Sequence, residues 1–526
     1  MPLKIKSINK QSLLSAVFIF IFAASIYLPT INIPFINDEI YFIQRNEVKS
    51  LTNLYTLFNK KDYDGYYYRP LPDMISGLTA FFFKYNYKDY RILNLLLHST
   101  VAVLVYFLIF YLLQIPDKNN IALFAALFFA AFPLHDYAVI WHTDLFDRVM
   151  VLFYLAGLIV FIRNNFRATI SSIIFFILAL LSKEMAFSFP LIIALIYFFF
   201  SRSKFDIKKS LISAAPYFII AALFIVARII LFNNDVFTAK DAHSTAGITD
   251  VVKNYFLFSG LVIFPFFIRE IQTFISFNKL LTMSSGVIIL IGILTAVFKF
   301  RRKDHILFFF ILFFILALAP ASRLLMRWYL YLPSIGFTAA LSYLIFTISS
   351  KGFNIKLTAA ILILIIYSAA LMQRESLWIK YSNKSIGMLE SFIKMNRNEI
   401  TDNKEAVFLT IPAKVDDIPI FQLGFDYLFN YYLGKRDSVK VEFLSKSYLD
   451  NLDDHVNIRI NAGKIYMSQT DRNYFILFNN EKNINFEPVN LSNGKLNSIA
   501  INISEVKNKV LYTFSNGIFY KLEGLQ

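Results

Sequence analysis

The sequence predicts a polytopic α-helical membrane protein of about eleven spans, followed by a small C-terminal soluble domain of α/β or β-rich type. Three observations carry this prediction. Hydrophobic residues make up 57% of the 526 positions and charged residues only 17%, with a mean hydropathy of +0.54, which lies outside the range of soluble globular chains. Apolar runs long enough to span begin near residues 13, 93, 120, 149, 169, 186, 211, 281, 305, 330 and 356, each offering the length a bilayer requires. From about Met395 the apolar runs shorten to strand length, with Asn, Asp, Gly and Lys between them, as in a water-facing domain.

Taken in order, Lys4, Lys6 and Lys10 precede the apolar run from Leu13 to Ile31. The run is long enough to span and ends without a small-residue cleavage pattern, so it reads as an uncleaved first helix. Residues 32–91 form a long outer loop, with Tyr66-Tyr67-Tyr68-Arg69-Pro70-Leu71 and short amphipathic pieces such as Leu51 to Phe58, which suit helices lying on a membrane surface. Tyr255 to Ile268 is apolar but short, and Gly260 and Pro265 break it; it is either a twelfth span or a re-entrant segment. Charge decides. With eleven spans, the clusters Arg202/Lys204/Lys208/Lys209 and Lys299/Arg301/Arg302/Lys303 fall on the side of Lys4, Lys6 and Lys10, and the opposite short loops hold about half as many cations. The positive-inside rule then places the N-terminus in the cytoplasm and the C-terminal domain outside the cell membrane. The expected domains are residues 1–380 in the membrane and 395–526 in water, the latter with strands at Ala406 to Ile411, Val439 to Leu444, Tyr474 to Phe478 and Val510 to Phe514.

Composition narrows the function classes. Fifty-nine Phe and thirty Tyr suit lipid-facing and interfacial surfaces. The net charge of +16 is accounted for by cytoplasmic loops and anionic lipid heads, so no nucleic-acid partner is implied. With no Cys there is no disulfide, no thiolate nucleophile and no Cys-based metal site.

The unusual polar residues gather in the outer turns. Asn37, Asp38 and Glu39 follow the first span, and a carboxylate pair just outside a membrane core marks a candidate site. His135, Asp136, His142, Asp144, Asp147 and Arg148 lie between the third and fourth spans, Lys183 and Glu184 between the fifth and sixth, Arg228 near the end of the seventh, and Arg323 and Arg327 between the ninth and tenth. Acids, bases and cations converging on one side of a bundle look like a site. Each has a structural alternative. Lys183 and Glu184 can pair at a helix junction, and the three arginines can snorkel to lipid heads. The histidine spacing is a poor zinc pattern and suits hydrogen bonding better, while Asp147 suits a helix start.

The order of these pieces resembles the GT-C superfamily of integral-membrane glycosyltransferases, in the branch of the TMTC- and PMT-type protein O-mannosyltransferases and their bacterial relatives. Phe35-x-x-Asp38-Glu39, Tyr68-Arg69-Pro70-Leu71, the Tyr90-to-His98 segment with Asn94 and His98, and Phe132-Pro133-Leu134-His135 through Trp141 and Asp147 follow the family's sequence of motifs. So do Leu181-Ser182-Lys183-Glu184, Arg327-Trp328-Tyr329-Leu330-Tyr331-Leu332-Pro333-Ser334 and Arg374 to Trp378. The departures are Arg91 and Phe132 in place of His, Met326 in place of Glu, and one extra residue after Trp141. The C-terminal domain lies outside the resemblance.

The resemblance implies inverting transfer of a sugar from a polyprenyl-phosphate donor to an acceptor hydroxyl on a protein, glycan or lipid, at the extracytoplasmic face of the membrane. It makes Asp38 the expected base, with Glu39 beside it, a role suited to a carboxylate. Lys183, Arg228, Arg323, Arg327 and Arg69 are the available cations for the donor phosphate. His135, Asp136, His142, Asp144, Asp147, Glu184, Asn94 and His98 are the candidates for positioning acceptor and sugar. No cofactor is required and no metal cluster is expected, while a divalent ion at Asp38 and Glu39 is left open. Two alternatives share the composition. A transporter or flippase would place charges near the midplane on broken, repeated helices, and a lipid-linked glycan polymerase or ligase would share the donor chemistry.

Overall fold

Breaks at proline and short 3-10 turns, rather than uninterrupted spans, organise much of the helical part of this chain. The protein is described by a computed structural model covering residues 9–59, 68–201, 203–232, 247–263, 265, 305–347, 352–434, 439–470, 473–477, 486–492, 495–503 and 510–522. The span expected near 281, the Lys299 to Lys303 cluster, Tyr66 and Tyr67 lie outside the described residues. The chain folds as two units, one of Met1–Pro29, Val48–Phe83 and Asp89–Glu375, the other of Thr30–Glu47, Lys84–Lys88 and Ser376–Gln526.

In chain order the helices are α1 (Lys10–Tyr27), α2 (Glu39–Asn46), α3 (Pro70–Phe83), α4 (Tyr87–Leu112), α5 (Lys118–Ala130), α6 (Asp136–Ile140), α7 (Leu145–Arg163), α8 (Ile170–Leu180), α9 (Phe189–Phe200), α10 (Ile207–Phe232), α11 (Ile248–Ile263), α12 (His305–Leu318), α13 (Ser334–Thr347), α14 (Phe353–Asn403) and α15 (Phe425–Leu433). Local chemistry sets several ends. Asn9 and Thr169 cap α1 and α8, each accepting from the backbone N–H of a serine three residues on, whose hydroxyl returns the bond. Pro133, Pro190 and Pro320 sit in the first turns of short helical pieces, where a missing N–H costs nothing but a longer preceding helix is prevented.

The first unit is helical. Among the described residues five helical stretches are long and apolar enough to cross a membrane, namely Lys10–Asn32, Tyr87–Leu112, His142–Arg163, Ile207–Ile230 and Phe353–Asn403, and a sixth is gained if Lys118–Ala130 and Pro133–Ile140, bent by 47°, form one span. Ile170–Leu180, Glu184–Phe200, His305–Ala321 and Ser334–Thr347 are apolar but shorter. These helices point to a membrane protein. The expected number of spans is not reached by helices of full spanning length among the described residues, since a straight span needs about 20 residues. Helices α8, α9 and α10 meet through Phe176, Phe189 and Tyr217, with Phe176 stacked on Phe189 at 4.8 Å and Phe189 at 5.2 Å from Tyr217. Gly336 lets α13 approach α12 closely, because a Cβ there would lie 2.6 Å from the Phe310 carbonyl oxygen and 2.7 Å from the Phe314 nitrogen.

The second unit is an α/β arrangement. Its sheet runs β10-β9-β1-β3-β6-β8-β5-β4, with β2 paired to β1 and β7 to β8. Here β1 is Glu405–Val415, β2 Ile418–Pro419, β3 Lys440–Leu449, β4 Asn457–Asn461, β5 Lys464–Ser468, β6 Tyr474–Leu477, β7 Phe486–Ser492, β8 Lys495–Asn502, β9 Leu511–Ser515 and β10 Ile518–Lys521. β1 is parallel to both β3 and β9, and the other pairings are antiparallel. β1 is buried over nearly its whole length, as a central strand should be. Phe408 on β1 packs against Phe425 and Phe429 of α15 and against Phe519 of β10, at 5.3, 5.8 and 5.3 Å. All four expected strands are present.

Candidate functional site

In the first unit, one short segment threads the polar residues together. The 3-10 turn Arg327–Leu330 and Tyr331 after it send successive side chains in different directions. The Arg327 guanidinium lies over the Tyr137 ring at 4.6 Å. Trp328 packs against Tyr137 at 5.5 Å and Trp141 at 5.8 Å. The Lys183 ammonium lies 4.9 Å from the Tyr329 ring, and the Tyr331 hydroxyl bonds His98 Nδ1 at 2.8 Å. One cationic and three aromatic side chains on a tight turn reach four partners that periodicity alone would not connect.

The cations occur in three sets. Lys183, only 3% exposed, donates to Asp147 Oδ2 and lies 3.8 Å from Asp144 Oδ1, so one ammonium serves two buried carboxylates. Arg69 donates to Glu184 Oε2 from Nη2 at 2.9 Å and from Nε at 3.2 Å, and Arg228 Nη1 lies 3.6 Å from Glu184 Oε1. Burial alone would raise the Glu184 carboxyl, but Arg69 and Arg228 outweigh it and hold it below the ordinary carboxylate range. Arg374 donates to Asp136 Oδ2 from Nε at 3.1 Å, with its Nη2 at 3.0 Å, and Arg327 Nη1 lies 3.8 Å from the same oxygen. Two guanidinium groups therefore converge on each of Glu184 and Asp136. Glu184 is 29% exposed and Asp136 fully buried. Arg323 is exposed, and its carbonyl accepts from Asn254 Nδ2 at 2.9 Å.

The expected positioning residues split between these pairs and a buried hydrogen-bond network that includes Arg148 and Arg91. Asn94 Oδ1 accepts from Arg148 Nη2 at 2.8 Å and meets His142 Nδ1 at 3.1 Å, and its Nδ2 donates to the Ile140 carbonyl at 3.3 Å. Arg91 Nη1 donates to the same carbonyl at 2.8 Å. His135 Nε2 bonds the Ser334 hydroxyl at 2.9 Å, and His98 Nε2 lies 3.2 Å from the Ala130 carbonyl. These buried contacts fix the turn between α5 and α7, where short helical pieces leave backbone carbonyls without helix partners.

Asp38 and Glu39 belong to the second unit. Asp38 is 3% exposed and Glu39 fully buried. Glu39 Oε2 accepts from the Ile36 N–H at 3.0 Å, and Asn37 Nδ2 donates to Asp38 Oδ1 at 3.4 Å. Glu39 is thus engaged in holding its own turn. Among the described residues no group of three or more His, Asp or Glu side chains is placed to hold a metal ion.

The site residue missed by sequence reasoning is Glu375, whose buried Oε1 has no hydrogen-bond partner among the described residues. Arg374 is visible as a motif residue, but its pairing with Asp136, 238 positions away, has no local signal.

The long apolar helices point to a membrane protein, and its first unit carries several buried ion pairs. No family model matches the chain. Over 124 residues it is 33% identical to a Caenorhabditis elegans protein named protein O-mannosyl-transferase, the match covering 22% of this chain and 17% of that relative.

Proposed function

We propose that the protein is a membrane glycosyltransferase that moves a sugar from a polyprenyl-phosphate donor to an acceptor hydroxyl, with inversion, on the extracytoplasmic side. The observation that carries this reading is the pair of guanidinium groups, Arg69 and Arg228, gathered at the partly exposed carboxylate of Glu184. Planar guanidinium forks brought together in this way suit phosphate oxygens. The partial likeness to a protein named O-mannosyl-transferase supports the reaction class.

In the reaction, the acceptor oxygen forms a bond to the anomeric carbon as the bond from that carbon to the phosphate oxygen breaks. The electron pair leaves with the lipid phosphate, whose negative charge grows, so cations are needed and a general acid is not. The hydroxyl proton passes to a carboxylate, for which Asp38 is our candidate. Arg69 and Arg228 meet the phosphate, with Arg327 as a further donor. Lys183, committed to Asp144 and Asp147, holds those two acids instead, and exposed Arg323 is set aside.

The test uses the purified protein in lipid nanodiscs, radiolabelled mannosyl polyprenyl phosphate and a serine- and threonine-containing peptide. Label should move from the lipid to the peptide. Arg69→Met and Arg228→Met should each raise the donor KM about 10-fold or more, the scale of a lost charge-assisted bond, with little change in acceptor KM. Label that stays on the lipid with every sugar and acceptor offered would overturn the reading.

A further inference from the structure

Within the second unit, the 420–424 turn makes a set of contacts with the Asn37-Asp38-Glu39 turn. The Ile420 carbonyl accepts from the Asn37 N–H at 2.7 Å. Asn37 Oδ1 accepts from the Leu423 N–H at 2.7 Å, while the other end of the same amide, Nδ2, donates to Asp38 Oδ1 at 3.4 Å. Asn37 has a φ of 55°, a left-handed conformation that asparagine tolerates better than most residues. Gly424 has a φ of 60°, and a Cβ there would lie 2.9 Å from Asp38 Cα and 3.2 Å from Asp38 Cβ. Only glycine allows that approach without displacing the aspartate. The turn is fixed from behind. Lys446 on β3 donates to the Gln422 carbonyl at 2.6 Å, and the Ile420 and Phe421 N–H groups bond the Ala413 carbonyl of β1 at 2.9 and 3.2 Å.

We infer that the 420–424 turn is a clasp that sets the position of Asp38, making Asn37, Gly424 and Lys446 positioning residues for sugar transfer. This rests on the proposed reaction and gives the C-terminal unit a part in it. The chemistry of Lys446 agrees. Burial lowers its ammonium to about 8, with Asp426 pulling the other way, so a charge is kept inside the domain at a cost and used on a turn carbonyl.

Two arms test the inference. The chain has no Cys, so Tyr41→Cys with Tyr427→Cys, at positions whose rings lie 4.7 Å apart, can be joined by a short bifunctional thiol reagent. A cross-link in the native protein is expected, and its absence overturns the clasp whatever the activity. In the second arm, Asn37→Gly keeps the backbone conformation and removes the amide, Gly424→Ala pushes on Asp38, and Lys446→Met releases the turn. Each should lower kcat about 10- to 100-fold, the scale of a displacement near 1 Å, with both KM values within about twofold and the unfolding transition retained. Folded variants with unchanged kcat overturn the positioning role. If the wild-type protein transfers no sugar, the proposed reaction falls and the cross-link alone decides the clasp.

Discussion

Replacing Lys183 with Met leaves Asp144 and Asp147 without the ammonium that bridges them, in a place where the three groups are 3%, 4% and 0% exposed. Removing one partner of a buried ion pair costs about 3–5 kcal/mol, because the remaining charge is left uncompensated. Here two buried carboxylates share that ammonium, so the upper part of that range is expected. Neutralising Asp147 as well should recover much of the loss, because a single remaining acid can take up a proton more cheaply than two. The double variant Lys183→Met/Asp147→Asn should therefore be more stable than Lys183→Met alone by about 2 kcal/mol, and the coupling energy, which also subtracts the cost of Asp147→Asn alone, should be larger still. Denaturant titration in mild detergent, followed by tryptophan fluorescence, measures this. Trp141, whose carbonyl accepts from the Asp144 N–H, and Trp328, 5.8 Å from it, report on the surroundings of these acids. Additive effects, or a Lys183→Met protein as stable as wild type, would refute the assignment of Lys183 as the cation that holds these acids.

Three further outcomes are expected. Gly336→Ala places a methyl group against the α12 backbone and should cost about 1–3 kcal/mol; an unchanged transition would mean that α12 and α13 are not in close contact. Lys446→Met should stabilise the C-terminal unit by about 1–2 kcal/mol, since lowering the ammonium from 10.5 to about 8 corresponds to about 3 kcal/mol and the lost hydrogen bond offsets about 1. Below about pH 8 the lysine is charged in both states and the penalty is complete. Between about 8 and 10.5 the folded state has released its proton while the unfolded state keeps it, so wild-type stability should rise with pH and the variant's should not; equal slopes would contradict the burial. Glu184, held low by Arg69 and Arg228, contributes stability above its unfolded pKa that is lost as pH falls. Glu184→Gln should therefore flatten the acid side of the stability profile, and an unaltered acid limb would count against the pairing.

Much of the architecture is legible in the sequence because it rests on local patterns. Apolar length marks the helices, and β1, β3, β6 and β9 follow runs of strand-forming residues bounded by Asn, Asp and Gly. Lys183, Glu184, Asp136 and Arg327 stand out because charged groups beside apolar helices are costly unless partnered. The partners themselves are not legible. Arg69 reaches Glu184 across 115 positions and Asn37 receives the Leu423 N–H across 386, separations that carry no periodic trace. For the same reason, the membership of residues 30–47 in the C-terminal unit is a product of tertiary contacts such as Asn37 with Ile420. Spanning length fails as a guide where proline punctuates the helices, as at Pro133 and Pro190, since composition registers the apolar run and not the break.

The central claim is that this chain transfers a sugar from a lipid phosphate with Asp38 as base. It is tested most directly by measuring polyprenyl phosphate released from radiolabelled sugar donor by wild type, Glu39→Gln and Asp38→Asn, each shown to unfold at a similar temperature. Asp38→Asn should lose at least about 100-fold in release, the scale of a removed general base, while Glu39→Gln, which alters a carboxylate already bonded to the Ile36 N–H, should keep substantial activity. An Asp38→Asn protein that releases lipid phosphate at the wild-type rate would contradict the account.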